Sequence, residues 1–269
     1  MGDLWVAVVL GIVEGLTEFL PVSSTGHLIV AGHLLGFKGP KASCFAVFIQ
    51  FGAILAVVAL YWRRFLDLIP SRRGSFSGVE RFAGWRGIIL LGLTTLPALV
   101  IGFFAHGAIK EYLFGPVTVA WALGLGGVAI LLTERYKPRA HVNDLDGLNY
   151  RQAFTIGLFQ CLAMWPGVSR SASTIIGGLL SGLNRRTAAE YSFLAAVPVM
   201  TAATAYDLFK AWHFLHISDA SFFAVGFVLS FVSAAVAVKT FITLVQRWSL
   251  APYAYYRIAV APVIYFLLS

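Results

Sequence analysis

The sequence predicts an all-α integral membrane protein, on the evidence of its composition and of its apolar runs. Of the 269 residues, 59% are hydrophobic and 12% are charged, and the mean hydropathy is +0.81. A soluble domain carries about 25% charged residues. The apolar runs are about 17–25 residues long and lack the alternation of strands, which favours membrane helices over a membrane barrel. The net charge is +8, and the basic residues are concentrated in a few loops. We therefore attribute them to membrane orientation and expect no nucleic-acid partner.

Ten apolar segments follow one another along the chain. They lie at about 4–20, 24–36, 44–62, 87–106, 116–133, 152–165, 172–183, 189–210, 221–246 and 250–268. Helix breakers separate the members of two pairs, at Pro21 and at Pro166-Gly167. Such breaks between short segments predict two re-entrant helix pairs, each entering and leaving the membrane on one side. The remaining segments predict about six transmembrane helices.

The two interrupted pairs resemble each other at an offset of 146 residues, without a gap. Gly11 then aligns with Gly157, and Ser23 aligns with Ser169. We therefore predict a single membrane domain, 1–269, made of repeat one (1–133), a polar linker (134–151) and repeat two (152–269). Because each repeat holds an odd number of full spans, the second copy must be inverted relative to the first.

The loop charges predict how the chain is oriented. If the arginine-rich loop 63–86 is cytoplasmic, the linker 134–151 is cytoplasmic too, and both are basic, as cytoplasmic loops usually are. Lys38 and Lys41 are the exceptions, since this topology places them outside. The same topology places both termini outside.

Two acids lie inside the first apolar segment. An ionised side chain near the bilayer centre costs roughly 2.5–3.5 kcal/mol, so something must compensate Glu14 and Glu18. These residues are four apart on a predicted helix, and one face of that helix therefore carries both carboxylates. They are close enough to share a cation or a proton.

Hydroxyl groups and a histidine follow the break at Pro21. Ser23, Ser24 and Thr25 lie at the start of the next helix, where free backbone N–H groups and the helix dipole favour an anion. His27 follows Ser24 by three residues, which brings its ring within reach of the hydroxyls. This combination indicates catalysis by a hydroxyl and a histidine.

The second pair supplies a cation. Arg170 lies among hydroxyls at another helix start, and its guanidinium suits the oxygens of a phosphate. By the offset, Arg170 aligns with Ser24. Arg257 lies about seven residues inside the last segment, where it either reaches back to the interface or makes a second phosphate contact. The neighbouring hydroxyls of Arg170 that we expect to contact substrate are Ser169, Ser171 and Thr174.

Two long motifs carry a family resemblance. One runs from Glu14 through Pro21-Val-Ser-Ser-Thr-Gly-His27, the other is Pro166-Gly-x-Ser-Arg-Ser-x-x-Thr174, and the pair Tyr256-Arg257 also matches. With these residues the chain resembles the undecaprenyl pyrophosphate phosphatases, also called bacitracin resistance proteins. The resemblance covers essentially the whole chain.

The resemblance implies removal of the terminal phosphate from undecaprenyl pyrophosphate, which regenerates the carrier lipid for peptidoglycan synthesis in the bacterial inner membrane. It implies a dependence on Mg²⁺ or Ca²⁺, and contacts with a polyprenyl diphosphate substrate and with membrane lipids; a homodimer stays open. By matching motifs, the functional residues are Glu14, Glu18, Ser23, Ser24, His27, Ser169, Arg170, Ser171 and Thr174.

These residues suggest a mechanism with two open alternatives. Ser24 attacks the distal phosphorus while His27 acts as general base or as leaving-group acid. Arg170 stabilises the phosphoryl oxygens, and Glu14 and Glu18 hold a divalent ion. Alternatively, His27 is itself the nucleophile, or Glu18 is the base for Ser24. A rival from another class is a transporter or lipid flippase, which inverted repeats with broken helices would also build.

Overall fold

The fold is built almost entirely from helices. The computed structural model describes residues 2–70, 81–113, 115–211 and 219–268. Within these ranges the chain forms eleven α-helices, one short 3-10 helix and an isolated β-bridge between Val142 and Leu183. The all-helical prediction is confirmed for this part of the chain.

Each of the ten predicted apolar segments overlaps one helix, and one short additional helix, α4, follows α3. The helices are α1 (Gly2–Thr17), α2 (Ser24–Leu34), α3 (Pro40–Leu60), α4 (Trp62–Asp67), α5 (Gly84–Tyr112), α6 (Pro116–Tyr136), α7 (Tyr150–Cys161), α8 (Arg170–Leu180), α9 (Arg185–Ala211), α10 (Ala220–Val245) and α11 (Ala251–Leu268). Residues 71–80 of the predicted basic loop lie outside the described ranges.

Among the described residues, 5 helices are long and apolar enough to cross a membrane. They are α3, α5, α6, α9 and α10. The last predicted span corresponds to α11, which has 18 residues and does not belong to this set. Large apolar side chains on the surface, such as Phe103 (81% exposed) and Phe209 (80%), are those expected of helices that face lipid.

The interrupted pairs consist of short helices. In the first pair α1 has 16 residues and α2 has 11, and in the second α7 has 12 and α8 has 11. A 3-10 turn, Leu162–Met164, ends α7 before the second break. Each helix is shorter than the roughly 20 residues needed to span a bilayer, as re-entrant pairs require.

Each short pair packs against a helix of the other half of the chain. Helix α1 lies along α10, and its counterpart α7 lies along α5. In both contacts the backbones of the two helices approach each other closely at a glycine. A Cβ atom on Gly11 would lie 2.5 Å from the carbonyl oxygen of Gly226, and one on Gly157 would lie 2.8 Å from that of Leu93. Gly11 and Gly157 are the residues that the offset aligns, so equivalent positions make equivalent contacts.

The polar linker is folded against the second half rather than extended. Val142, Leu145 and Leu148 are buried. The amide of Asn184 donates to the carbonyl of Val142 at 3.0 Å, and the amide of Val142 donates to Gly182 at 3.1 Å. Helix α6 continues to Tyr136, so the first residues of the predicted linker are helical.

Ion pairs tie the helices together at two places. Glu134, near the end of α6, accepts hydrogen bonds from Arg185 at 2.8 and 2.6 Å and from the amide of Leu250 at 2.9 Å. Lys41, at the start of α3, forms an ion pair with Asp219 at 2.7 Å just before α10. Lys41, one of the two lysines that depart from the basic-loop pattern, therefore has an acidic partner.

Candidate active site

The site forms where the two interrupted pairs turn. Ser23 has φ 71° and Ser169 has φ 75°, and they are the described non-glycine residues with positive φ. This conformation costs a residue with a side chain about 1–3 kcal/mol. Each serine immediately precedes a helix, α2 or α8. Each turn therefore leads into a helix start with free backbone N–H groups, and the 146-residue offset aligns the two serines.

Ser24 is hydrogen-bonded to an acid. Its Oγ donates to Oε2 of Glu18 at 2.6 Å. Glu18 is 7% exposed and Ser24 is 8% exposed, so the bond is shielded from bulk solvent. The turn after Thr17 brings these two residues together across the break at Pro21. A carboxylate in this position can accept the proton of the hydroxyl.

Arg170 compensates the same acid from the other half of the chain. Its Nη2 lies 3.2 Å from Oε1 of Glu18, and its Nη1 donates to the carbonyl oxygen of Ser192 at 3.1 Å. The guanidinium carbon also lies 5.4 Å from the ring centroid of Phe19, within the range of a cation–π contact. Nε of Arg170 is buried and has no hydrogen-bond partner in the described part of the chain. Because Nε is enclosed, the donor that remains for a ligand is the second hydrogen of Nη2, whose other hydrogen bonds to Glu18.

A cavity of about 170 Å³ lies between the two turns. Six of the predicted site residues line it, and they are Glu18, Ser23, Ser24, Thr25, Ser169 and Arg170. Gln50 of α3 and Met200 of α9 also line it, together with Ala163, Pro166 and Gly167. Glu18, four of the predicted hydroxyl residues and Arg170 are therefore in one place, whereas Glu14 does not line the cavity.

His27 departs from its predicted contact with a serine hydroxyl. Its Nδ1 lies 2.8 Å from the carbonyl oxygen of Ser23, and its Nε2 lies 2.6 Å from the hydroxyl of Tyr256. A carbonyl oxygen can only accept, so Nδ1 carries the hydrogen and Nε2 accepts from the tyrosine in the neutral ring. The hydroxyl of Ser24 points to Glu18 instead. His27 thus holds the turn and α11 together.

Ser171 and Thr174 bond to protein rather than line the cavity. Ser171 Oγ donates to the carbonyl of Phe19 at 2.7 Å, which joins the start of α8 to the first turn. Thr174 Oγ1 lies 2.9 Å from the carbonyl of Arg170 and 2.7 Å from Oγ of Ser192. Because these hydroxyls already have protein partners, the structure differs here from the predicted substrate contacts.

Arg257 also differs from both of its predicted roles. Its side chain is 0% exposed, so it does not reach the interface. Its guanidinium donates to the carbonyls of Pro21 at 3.2 Å, Gly167 at 3.0 Å, Ala122 at 3.2 Å and Leu123 at 3.1 Å. Those carbonyls belong to the first turn, the second turn and α6. In this structure Arg257 binds the two turns to each other and contributes no lining to the cavity.

The predicted metal ligands are only partly assembled. Glu14 is 1% exposed, and in the described part of the chain neither of its carboxylate oxygens has a hydrogen-bond partner. An unpartnered buried carboxylate is costly, which suits a cation or a proton shared with Glu18. The described residues contain no group of three or more acidic, histidine or cysteine side chains able to hold a metal. Mg²⁺ is often bound by one or two carboxylates plus substrate phosphates. Glu18 lines the cavity and Glu14, four residues before it, has two unpartnered oxygens, so their chemistry fits such an ion.

A larger groove, of about 430 Å³, lies on the outer face of α6 and α11. Leu125, Val128 and Phe266 are among the side chains that line it. It offers no charged group for a diphosphate. We therefore place the chemistry in the smaller, polar cavity.

Two residues near the site were not predicted from the sequence, and Tyr256 was named only as part of the family motif. Gln50 and Ser192 each lie inside an apolar segment, where a polar side chain is a signal, but they are uncharged and lie away from the two breaks. Tyr256 lies beside Arg257, and its hydroxyl lies 2.6 Å from His27 across 229 residues of sequence. Its contact depends on the packing of α11.

Comparison with known proteins agrees with the motifs. The family model described as "Bacitracin resistance protein BacA" matches residues 7–263. The chain belongs to the BacA family. Relatives of this family named undecaprenyl-diphosphatase include those of Maridesulfovibrio salexigens, 55% identical over 100% of both chains, and Nitratidesulfovibrio vulgaris, 56% identical over 100% of both. A third, from Oleidesulfovibrio alaskensis, is 56% identical over 98% of both chains.

Proposed function

We infer that this chain is an undecaprenyl-diphosphatase, an enzyme that hydrolyses undecaprenyl pyrophosphate to undecaprenyl phosphate and inorganic phosphate. One observation carries the chemistry, namely the contact of Glu18 with both Ser24 and Arg170 in a shared cavity. Membership of the BacA family and relatives bearing that name support the substrate. The same membership supports roles in carrier-lipid recycling for peptidoglycan and in bacitracin resistance.

The first step is attack by Ser24 on the distal phosphorus. The Oγ–P bond forms, the bond from that phosphorus to the bridging oxygen breaks, and undecaprenyl phosphate leaves with the electron pair. Glu18 takes the hydroxyl proton, because Oγ of Ser24 already donates to its Oε2 at 2.6 Å. We therefore prefer Glu18 to His27 as the base for Ser24.

Water completes the reaction. It attacks the phosphorus of the phosphoserine, the P–Oγ bond breaks, Oγ of Ser24 recovers the proton from Glu18, and the phosphate departs as H₂PO₄⁻ with both protons of the water. Charge on the phosphoryl oxygens is stabilised by Arg170 and by the N–H groups at the starts of α2 and α8. Ser23, Thr25 and Ser169 contact the substrate, while Ser171, Thr174, His27 and Arg257 keep the turns in position.

A divalent cation, Mg²⁺ or Ca²⁺, is proposed as cofactor. Glu14 and Glu18 would hold it, and it would screen the charge of the diphosphate. The orphaned oxygens of Glu14 support this assignment. In its absence Glu14 is compensated by nothing that the described residues provide, apart from a shared proton.

For the architecture we propose six transmembrane helices and two re-entrant pairs in inverted repeats, 1–133 and 152–269. The sixth span is α11. Three observations support the repeats. Ser23 and Ser169 have similar φ angles, and Gly11 and Gly157 make similar close contacts. In addition, the first helix of each pair packs against a helix of the other half, α1 against α10 and α7 against α5.

We further propose a multi-pass protein of the bacterial inner membrane with both termini outside. The contact of Glu134 with Arg185 brings together the end of α6 and the start of α9, both predicted to be cytoplasmic. The ion pair of Lys41 with Asp219 brings together the starts of α3 and α10, both predicted to lie outside. The polyprenyl chain of the substrate lies among membrane lipids. A homodimer remains compatible with this arrangement.

A lipid transporter or flippase is the second candidate. The observation in its favour is that each broken pair packs against a helix of the other half of the chain. The hydroxyl, acid and cation set exceeds what binding of an anion needs. Phosphate release distinguishes the two functions.

The test is phosphate release from a polyprenyl diphosphate by detergent-purified protein with Mg²⁺. Wild type should release phosphate, Ser24→Ala should be inactive, and Arg170→Ala should lose a factor of about 10²–10³ or more in kcat. Phosphoenzyme trapped from wild type should be stable to acid, as phosphoserine is. Recovery of acid-labile phosphohistidine would make His27 the nucleophile, and no release from wild type would favour transport.

A further inference from the structure

Gln50 places an amide in the cavity from a helix that carries neither motif. It lies in the middle of α3, between Ile49, which is 0% exposed, and Phe51. It lines the same cavity as Ser24 and Arg170. Helix α3 packs against α9 and α10, which are long enough to span a membrane, and against α1, so its position does not depend on the turns alone.

The amide is held at one end and free at the other. Its Oε1 accepts a hydrogen bond from the hydroxyl of Thr204 at 3.4 Å, and Thr204 is 2% exposed. No residue in the described ranges accepts a hydrogen bond from its Nε2, although this nitrogen is not shut off from the cavity. The two N–H groups of this amide nitrogen need a hydrogen-bond acceptor inside a membrane protein.

A second glutamine shows the structural alternative. Gln160 of α7 is 2% exposed, and its Nε2 donates to the carbonyl of Thr94 at 3.0 Å. Its donor is directed at the protein and it does not line the cavity. Gln50 has the opposite arrangement, because its acceptor faces protein and its donor faces the cavity.

We propose that Gln50 is a substrate-binding residue whose Nε2 donates to a non-bridging oxygen of the diphosphate. Thr204 is a positioning residue, because its hydroxyl occupies Oε1 and thereby presents the amide nitrogen to the cavity. The ligand class is an organic diphosphate, which offers acceptors only. This inference rests on the proposed function, since it assigns a further contact in the same cavity.

The experiment compares Gln50→Leu, Gln50→Glu and the control Gln160→Leu in phosphate release from a polyprenyl diphosphate. Gln50→Leu should lower kcat/KM about 10- to 100-fold, as loss of a hydrogen bond to a charged group does. Gln50→Glu, which has the same shape but a negative charge, should lower it further. Gln160→Leu should stay within about twofold of wild type per folded protein, because its side chain is outside the cavity.

A binding measurement separates this inference from the proposed function. Farnesyl diphosphate should raise the Tm of the inactive Ser24→Ala protein, and Ser24→Ala/Gln50→Glu should lose that shift. If wild type is active and both Gln50 variants stay within about twofold of it, the inference is overturned and the function stands. If wild type releases no phosphate, the proposed function fails. If Ser24→Ala/Gln50→Glu keeps the full Tm shift with farnesyl diphosphate, the inference about Gln50 is overturned as well.

Discussion

The hydroxyl oxygen of Tyr256 lies 2.6 Å from Nε2 of His27, and the two rings stack with their planes 7° apart. Since Nδ1 of His27 is occupied by the carbonyl of Ser23 at 2.8 Å, both ring nitrogens are engaged. The last helix therefore fixes the orientation of a motif residue on the second. His27 in turn holds the strained residue that precedes Ser24.

We expect Tyr256→Phe to lower kcat/KM about fivefold to tenfold, because one hydrogen bond is worth about 1 kcal/mol and its loss frees the ring of His27. Tyr255→Phe is the matched control and should be near wild type, since Tyr255 is 63% exposed. Steady-state phosphate release measures both. Equal activity of the two variants would show that the bond to His27 has no part in catalysis.

Replacing Arg257 should destabilise the protein rather than only weaken substrate binding. Arg257→Met leaves four carbonyls without their donor, at about 1–3 kcal/mol for each that stays buried. Arg257→Lys keeps the charge but presents its donors at one nitrogen, so it should recover little of the stability lost in Arg257→Met. Thermal unfolding in detergent measures the change, with the exposed Arg247→Met as control. An Arg257→Lys protein of normal Tm and raised KM would instead indicate a phosphate contact.

The glycine contacts between the halves should not tolerate a methyl group. Gly11→Ala and Gly157→Ala place Cβ atoms 2.5 and 2.8 Å from carbonyl oxygens, so each should cost about 1–3 kcal/mol of stability. Gly92→Ala is the control, because nothing lies within 4 Å of its Cβ position. It should be neutral or slightly stabilising. Similar Tm values for all three proteins would contradict the close packing.

The role of Glu14 is tested by the metal requirement. Glu14→Gln should raise the Mg²⁺ concentration for half-maximal activity by about tenfold or more, and chelation by EDTA should stop the wild-type reaction. The protein should not lose stability, because the change removes an unpartnered buried charge. Glu111→Gln, on the exposed end of α5, is the control. An unchanged Mg²⁺ dependence in Glu14→Gln would remove Glu14 from the cation site.

Much of the site could be predicted because its chemistry is costly in a membrane. Glu18, Ser24 and Arg170 stand out against apolar sequence, and the proline breaks with the 146-residue offset indicate that the two turns are equivalent. All three residues line one cavity.

The direction of individual side chains could not be predicted. His27 is near Ser24 in sequence, yet its ring turns to Tyr256, because a stacking partner is available from α11. Arg257 resembles a ligand of phosphate until its four carbonyl acceptors are seen. Both outcomes depend on which helix packs beside the turns, and spacing along the chain contains no such information.

The bonds from Arg257 to Pro21 and Gly167 have a consequence for biosynthesis. Both turns precede α11 in the sequence and are therefore synthesised before it. Until α11 has packed, the carbonyls of Pro21 and Gly167 lack the donor that they have in the folded protein. A nascent or truncated chain can therefore contain both motifs without an assembled centre, which requires α11 and its Arg257.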